Sequence, residues 1–138
     1  MPKIIGFART NLIKADIGAS FSSLAELMLK ENIGSIVITQ DDEIVGFVDD
    51  KTILRLISEG KNPNDRPLNE FIQKFPLIHQ DTHILDAWED AKSLPHERYG
   101  IMNNEGLIIG IIRKRTMDKF RQLILKEEMN IEDDFMLQ

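Results

Sequence analysis

The chain repeats itself. Laying Gly46 over Gly110 sets an offset of 64 residues (110 − 46), at which "SIVITQDDEIVGFVDDKTIL" lies over "YGIMNNEGLIIGIIRKRTMD" without a gap. Upstream, "SSLAELMLKENI" (Ser22 to Ile33) lies over "DAWEDAKSLPHE" (Asp86 to Glu97). Before that the register slips by about one residue, where "LIKAD" faces "LIHQD". A period of this size is too long for solenoid repeats and implies two copies of one supersecondary unit. Halves this small do not readily stand alone, so the copies are expected to share a core.

Each copy reads locally as strand, helix, strand, strand, helix. Ser23-Leu24-Ala25-Glu26 has the form of a capping box, in which serine and glutamate each satisfy an amide at a helix start. Leu24, Leu27 and Met28 follow with the spacing of a half-buried helix. "SIVIT" and "EIVGFV" are short β-branched runs around the polar turn "QDDE", a strand hairpin. Their lack of strict alternation predicts strands covered on both faces. "DKTILRLISEG" predicts a second helix, stopped by Gly60, where a left-handed cap is cheap. In the second copy, Leu85, Trp88 and Ala91 mark the first helix, with Pro95 just past its end. "YGIM" and "LIIGII" flank the turn "NNEG", and Met117, Phe120 and Ile124 set the last helix on the core. This order predicts a layered α/β (α+β) fold. The expected division is 1–60 for the first repeat, 61–67 for a Pro- and Asn-rich linker, 68–125 for the second repeat and 126–138 for an acidic tail.

With 138 residues, 42% hydrophobic and 29% charged, the chain has the make-up of one globular domain. A net charge of −6 argues against general nucleic-acid or anionic-membrane binding. Without cysteine there is no disulfide, thiolate metal site or cysteine nucleophile. No signal-peptide pattern opens the sequence and no run of about 18 apolar residues occurs, so a cytoplasmic location without membrane spans is expected. No nucleophile–base pair, zinc motif or phosphate-binding glycine loop appears, and the chain is not expected to be an enzyme.

The two glycine turns differ in charge. Both run from a strand into a helix start, where amides and helix dipole favour anions by about 0.3–1 kcal/mol per group. Asp49 and Asp50 obey this rule, and Asp49 has the chemistry of an N-cap. Arg113, Lys114 and Arg115 break it, so something anionic is expected near them.

The repeated pattern of helix, hairpin, glycine-apolar-apolar motif and helix resembles the CBS (cystathionine beta-synthase) domain, and two in tandem resemble the CBS pair, or Bateman module. "RPLNEFIQKFPLIHQDTHILDAW" looks like that family's lead into its second copy. The resemblance covers roughly Lys3 to Leu125 and implies a stand-alone pair of β-α-β-β-α repeats related by a pseudo-two-fold axis, commonly a homodimer. It implies a regulatory module that senses an adenosine nucleotide or related anionic ligand between the repeats and relays a change to a partner protein. AMP, ADP, ATP and S-adenosylmethionine are the candidate ligands, with no cofactor required. In the family's glycine motif a Ser or Thr at the fourth position helps hold phosphate, and an Asp at the seventh binds the ribose. Here the fourth positions are Asp49 and Arg113 and the seventh are Thr52 and Thr116, so neither copy carries the ribose carboxylate. Tyr99 falls where the family often packs the adenine base.

The implied ligand site thus comprises Asp49, Thr52, Tyr99, Arg113, Lys114, Arg115 and Thr116. Other readings stand beside it. Asp49 or Asp50 pairs with Arg113 or Arg115 in a closed, ligand-free cleft, and the chain serves as a dimerising scaffold with its acidic tail as docking element. Tyr99 also reads as a packed strand tyrosine, and Trp88 as core or dimer contact. His79 and His83 have metal-ligand spacing only on a helix, and they fall instead on a strand end and past a turn. His96 reads as solvated.

Overall fold

Hairpin geometry sets the first half of the fold. Asp41 and Asp42 both take positive φ, 52° and 64°, the two-residue turn whose twist matches that of paired strands. It joins β2 (Ser35–Gln40) to β3 (Glu43–Asp49) in antiparallel pairing. β1 (Lys14–Asp16) pairs parallel to β2 on its other side, with α1 (Phe21–Glu31) as the crossover. α2 (Asp50–Ser58) follows β3. Ile36, Val37 and Ile38 are buried in succession, so β2 is covered on both faces, as its pattern predicts.

The computed structural model describes the backbone of residues 2–136 and the side chains of 2–130. These form two units, one from Leu12–Phe75 and one within Met1–Asn11 and Pro76–Gln138. The second unit repeats the first: β4 (Leu77–His79), α3 (Ile84–Ala91), β5 (Arg98–Met102), β6 (Ile108–Arg113) and α4 (Lys114–Met136), with sheet order β4-β5-β6. Phe21, Leu24, Ile36, Val48 and Leu68 lie in the first core, and Ile4, Ile84, Tyr99, Ile112 and Met117 in the second. Each unit thus has a core of its own.

One local expectation shifts and one holds. α1 starts before the Ser23 box: Ser20 is its N-cap, with Oγ accepting from the Ser23 N–H at 3.1 Å. The earlier start brings Phe21 onto the buried face with Leu24 and Met28. α2 ends as its sequence predicts, with Gly60 at φ 75° and the Lys61 N–H reaching back to the Leu56 carbonyl at 3.0 Å.

The repeat is not gapless. Lys14 pairs with Val37 and Leu77 with Gly100, while Ser35 faces Asp49 and Arg98 faces Arg113. These pairings equate Lys14 with Leu77 and Ser35 with Arg98, an offset of 63 that returns to 64 only after the hairpin turn. The match of "LIKAD" to "LIHQD" is therefore not structural. The extra residue sits in the second turn, where the Asn103 carboxamide oxygen accepts from the Glu105 and Leu107 amides and Gly106 takes φ 79°. A two-residue turn and this longer, side-chain-built one cannot superimpose.

Division in space also differs from division in sequence. Arg9 pairs antiparallel with Ile111 of β6, and Gln73 with Phe47 of β3, each through two backbone hydrogen bonds of 2.9 Å. Arg9 and Gln73 are 64 residues apart, as are Phe47 and Ile111. Each hairpin's edge strand is extended by the segment that precedes the other copy in sequence. The short 3-10 turns ahead of these segments, Ile4–Phe7 and Leu68–Phe71, bury Ile4 and Leu68 in the same exchange.

No helix among the described residues is long and apolar enough to cross a membrane. α4 carries the acidic stretch onward as helix, and the side chains of Ile131 and Phe135 lie outside the described residues.

Candidate functional site at the strand-to-helix turns

In the first unit the turn from β3 into α2 is closed by its own side chains. Asp49 Oδ1 accepts from the Thr52 backbone N–H at 3.0 Å and from the Thr52 hydroxyl at 2.8 Å. The two residues are only 8% and 7% exposed. The same hydroxyl accepts from Gln73 Nε2 at 3.4 Å, so it serves both as donor and as acceptor. The Asp50 amide donates to the Gly34 carbonyl at 2.9 Å. Asp49 is thus the N-cap its sequence position predicts. Gly46, at φ 151°, is needed for close approach: a Cβ there would meet the Gln73 carbonyl and, at 2.6 Å, the Ile72 Cγ2. Phe47 and Phe75 stack at 4.4 Å between ring centres beside it.

The second turn, from β6 into α4, has the same backbone and opposite chemistry. Lys114 N–H donates to the Glu97 carbonyl at 2.8 Å, matching the Asp50–Gly34 bond. At the place of Asp49 stands Arg113, whose side chain has donors only and cannot cap a helix. Its Nε is buried and makes no hydrogen bond among the described residues; Glu97 Oε1 lies 3.5 Å away as an ion pair outside hydrogen-bond geometry. Lys114 Nζ donates to the Leu94 carbonyl, which ties down the loop before β5. Arg115 is exposed and Thr116 half-buried. The first turn of α4 contains no acidic residue. The structure therefore brings Arg113, Lys114, Arg115 and Thr116 together in one unit, and Asp49 and Thr52 together in the other.

Tyr99 is 2% exposed and belongs to the core of its unit. The corrected register explains why: Tyr99 is equivalent to Ile36, a fully buried position, and not to Ser35. Burial, aided by the charge of Glu97, raises its phenol above the ordinary range. Its hydroxyl points to the Ala91 carbonyl at 3.5 Å, and His96 meets the ring edge-on at 6.2 Å. Two further residues at the turn are not evident from the motif. Glu97 supplies the ion partner, and Arg98, 6% exposed, pairs across the strands from Arg113. The gapless alignment hides both, because it sets Tyr99 at the head of the strand.

The histidines cap turns. His79 Nδ1 accepts from the Asp81 N–H at 3.2 Å and its Nε2 meets Asn104 Oδ1 at 2.7 Å; His83 Nδ1 accepts from the Leu85 N–H at 3.1 Å as N-cap of α3. Among the described residues no group of three or more His, Asp or Glu is placed to hold a metal. Trp88 packs against the core of its unit with Arg121 over its ring at 5.1 Å.

Comparison with known proteins places this geometry. Residues 4–59 match the family model of the CBS domain. The chain is 26% identical over 129 residues to the uncharacterized protein MK0525 of Methanopyrus kandleri, covering 88% of this chain and 65% of that one. It thus spans less than two thirds of that relative's length. An uncharacterized conserved protein from Pyrococcus horikoshii has a similar structure, with a TM-score of 0.75 and 20% identity over 87% of this chain and 92% of that one. The CBS domain pair of protein MJ0100, solved in complex with 5′-methylthioadenosine and S-adenosyl-L-methionine, gives a TM-score of 0.73 and 14% identity over 88% of this chain and 97% of that one. At these identities the structural likeness is one of fold.

Proposed function

With residues 4–59 a CBS domain and the fold that of a CBS domain pair, we propose that this chain is a regulatory, non-catalytic module that binds an adenosine nucleotide or related anionic adenosine compound. The ligand's anionic part is held by Arg113, Lys114, Arg115 and Thr116. The observation that carries this reading is the second turn: cations gathered at a helix start, with Arg113 Nε buried and without a hydrogen bond among the described residues. A phosphate oxygen satisfies such a nitrogen and takes the place of the cap that an arginine cannot supply. The adenosine class is supported by the MJ0100 pair, which holds two adenosine compounds. With threonine at both seventh positions, the phosphate contributes more to affinity than the ribose does. Binding is relayed to a partner protein because the ligand prefers one conformation of the module over another.

A thermal-shift panel at low salt tests this, with AMP, ADP, ATP, S-adenosylmethionine, 5′-methylthioadenosine and sulfate against wild type and Arg113→Ala. A ligand at a hundred times its Kd adds about 2.7 kcal/mol of stability. The proposal expects at least one adenine nucleotide to raise the melting temperature of wild type and to do so far less in the variant. Silence across the panel overturns it.

A second reading is a dimerising scaffold without ligand. It is favoured by the exposed apolar side chains of Leu29, Leu54 and Ile57 on α1 and α2. Sedimentation equilibrium separates the two: a nucleotide-insensitive homodimer that Leu54→Glu dissociates supports the scaffold.

A further inference from the structure

The structure points to a difference in occupancy between the two equivalent turns: we infer that Asp49 bars an external anion from the first turn, so that the chain takes anions at the second turn only. The inference rests on the ligand-binding function proposed above and adds where its specificity lies. A repeated motif offers, on its face, two equivalent anion sites at two helix starts. In the first, the place is already taken. The Asp49 carboxylate accepts from the Thr52 amide and hydroxyl at 3.0 and 2.8 Å, the bonds an incoming phosphate oxygen would make there. Gln73 Nε2 holds the same hydroxyl from the other side at 3.4 Å. Asp49 and Thr52 are more than nine-tenths buried, so a phosphate would have to displace a carboxylate packed in place. It would also meet two negative charges, Asp49 and Asp50, within one helical turn. At the equivalent place in the second unit, Arg113 offers donors and positive charge. A helix start favours one negative group; the first turn carries it in its own sequence, and the second takes it from solution.

Amide chemical shifts, followed by NMR as ATP is titrated into the full chain, test this directly. Asp49→Ser is the variant, since serine caps a helix about as well as aspartate while removing the charge. Asp49→Asn replaces it should the serine variant not fold. In wild type, ATP is expected to shift the amides of residues 114–116 and to leave those of 50–52 unmoved; in the variant both sets shift. Shifts at both turns in wild type overturn the inference while the proposed function stands. Shifts confined to 114–116 in wild type and variant alike also overturn it, because Asp49 then bars nothing. If wild type shows no shift at either turn with ATP, nor with AMP, ADP or the other adenosine compounds of the panel, the proposed function fails. The variant then decides the inference alone: a response gained at 50–52 upholds the block, and none refutes it.

Discussion

Gly46 and Gly110 occupy the same place in their copies, yet they tolerate a side chain differently. At Gly46 a Cβ runs into the backbone carbonyl of Gln73 and into Ile72, at a φ of 151° that side chains avoid. At Gly110 the nearest atoms are the Ala8 Cβ and the Arg9 carbonyl at 3.3 Å and the tip of Ile5 at 3.4 Å, with no unusual φ. Gly46→Ala is therefore expected to cost about 3 kcal/mol or more, at the upper end of overpacking, and Gly110→Ala clearly less, by urea denaturation of each variant. Tyr99 gives a prediction in pH. Burial raises its pKa, so the folded state keeps the proton more firmly than the unfolded state does. That contribution is complete below the ordinary tyrosine pKa of about 10 and is lost as pH rises from there through the folded value. Wild type should lose stability as pH rises above about 10 more steeply than Tyr99→Phe, while near neutrality the two differ little because the 3.5 Å contact to Ala91 is a weak hydrogen bond. A variant as steep as wild type would show that another group carries the slope. At this scale the sequence was legible where chemistry is local. Asp49 as a cap needs only its neighbours. The burial of Tyr99 depends on a one-residue insertion in a turn whose shape is built by the Asn103 side chain, and no pattern of letters marks it.

Elements were legible in type and order, and less so in their ends and partners. Hydrophobic period and glycine placement announce each helix and hairpin. The start of α1 is decided by burial of Phe21, which outweighs the local Ser23 signal. Ser20→Ala should accordingly destabilise by about 1 kcal/mol and Ser23→Ala by less, measured by chemical denaturation; the reverse order would restore Ser23 as the cap. The exchange of the segments before each copy was not legible at all, since pairing of Arg9 with Ile111 and Gln73 with Phe47 joins residues far apart in the chain. It has a consequence for stability. Ile4 is fully buried in the core of β4 to β6, some 80 residues away from its neighbour Ile84. Ile4→Ala should cost about 2–5 kcal/mol, an effect a dispensable N-terminal arm would not produce.

For the molecule, the twofold repeat carries two versions of one turn, an acidic one that satisfies itself and a basic one that does not. The duplication was visible in the sequence, as was the charge contrast. What the sequence could not supply was the state of each charge: Thr52 bound by Asp49 and Gln73, and Arg113 with a buried nitrogen that makes no hydrogen bond among the described residues and a 3.5 Å ion pair to Glu97. These states follow from burial and from side-chain geometry across the sheet. The central claim, that the second turn binds an anionic adenosine ligand, is tested most directly by isothermal titration of ATP into wild type and Arg113→Ala at low salt, with circular dichroism confirming that the variant is folded. A hydrogen bond to a charged group is worth about 1.5–3 kcal/mol, so its loss should weaken binding by roughly tenfold to a hundredfold. Saturable binding by wild type with that loss in the variant is the predicted result. Equal affinity in the two proteins, or no binding by wild type of ATP or of AMP and ADP titrated in the same way, would contradict the account.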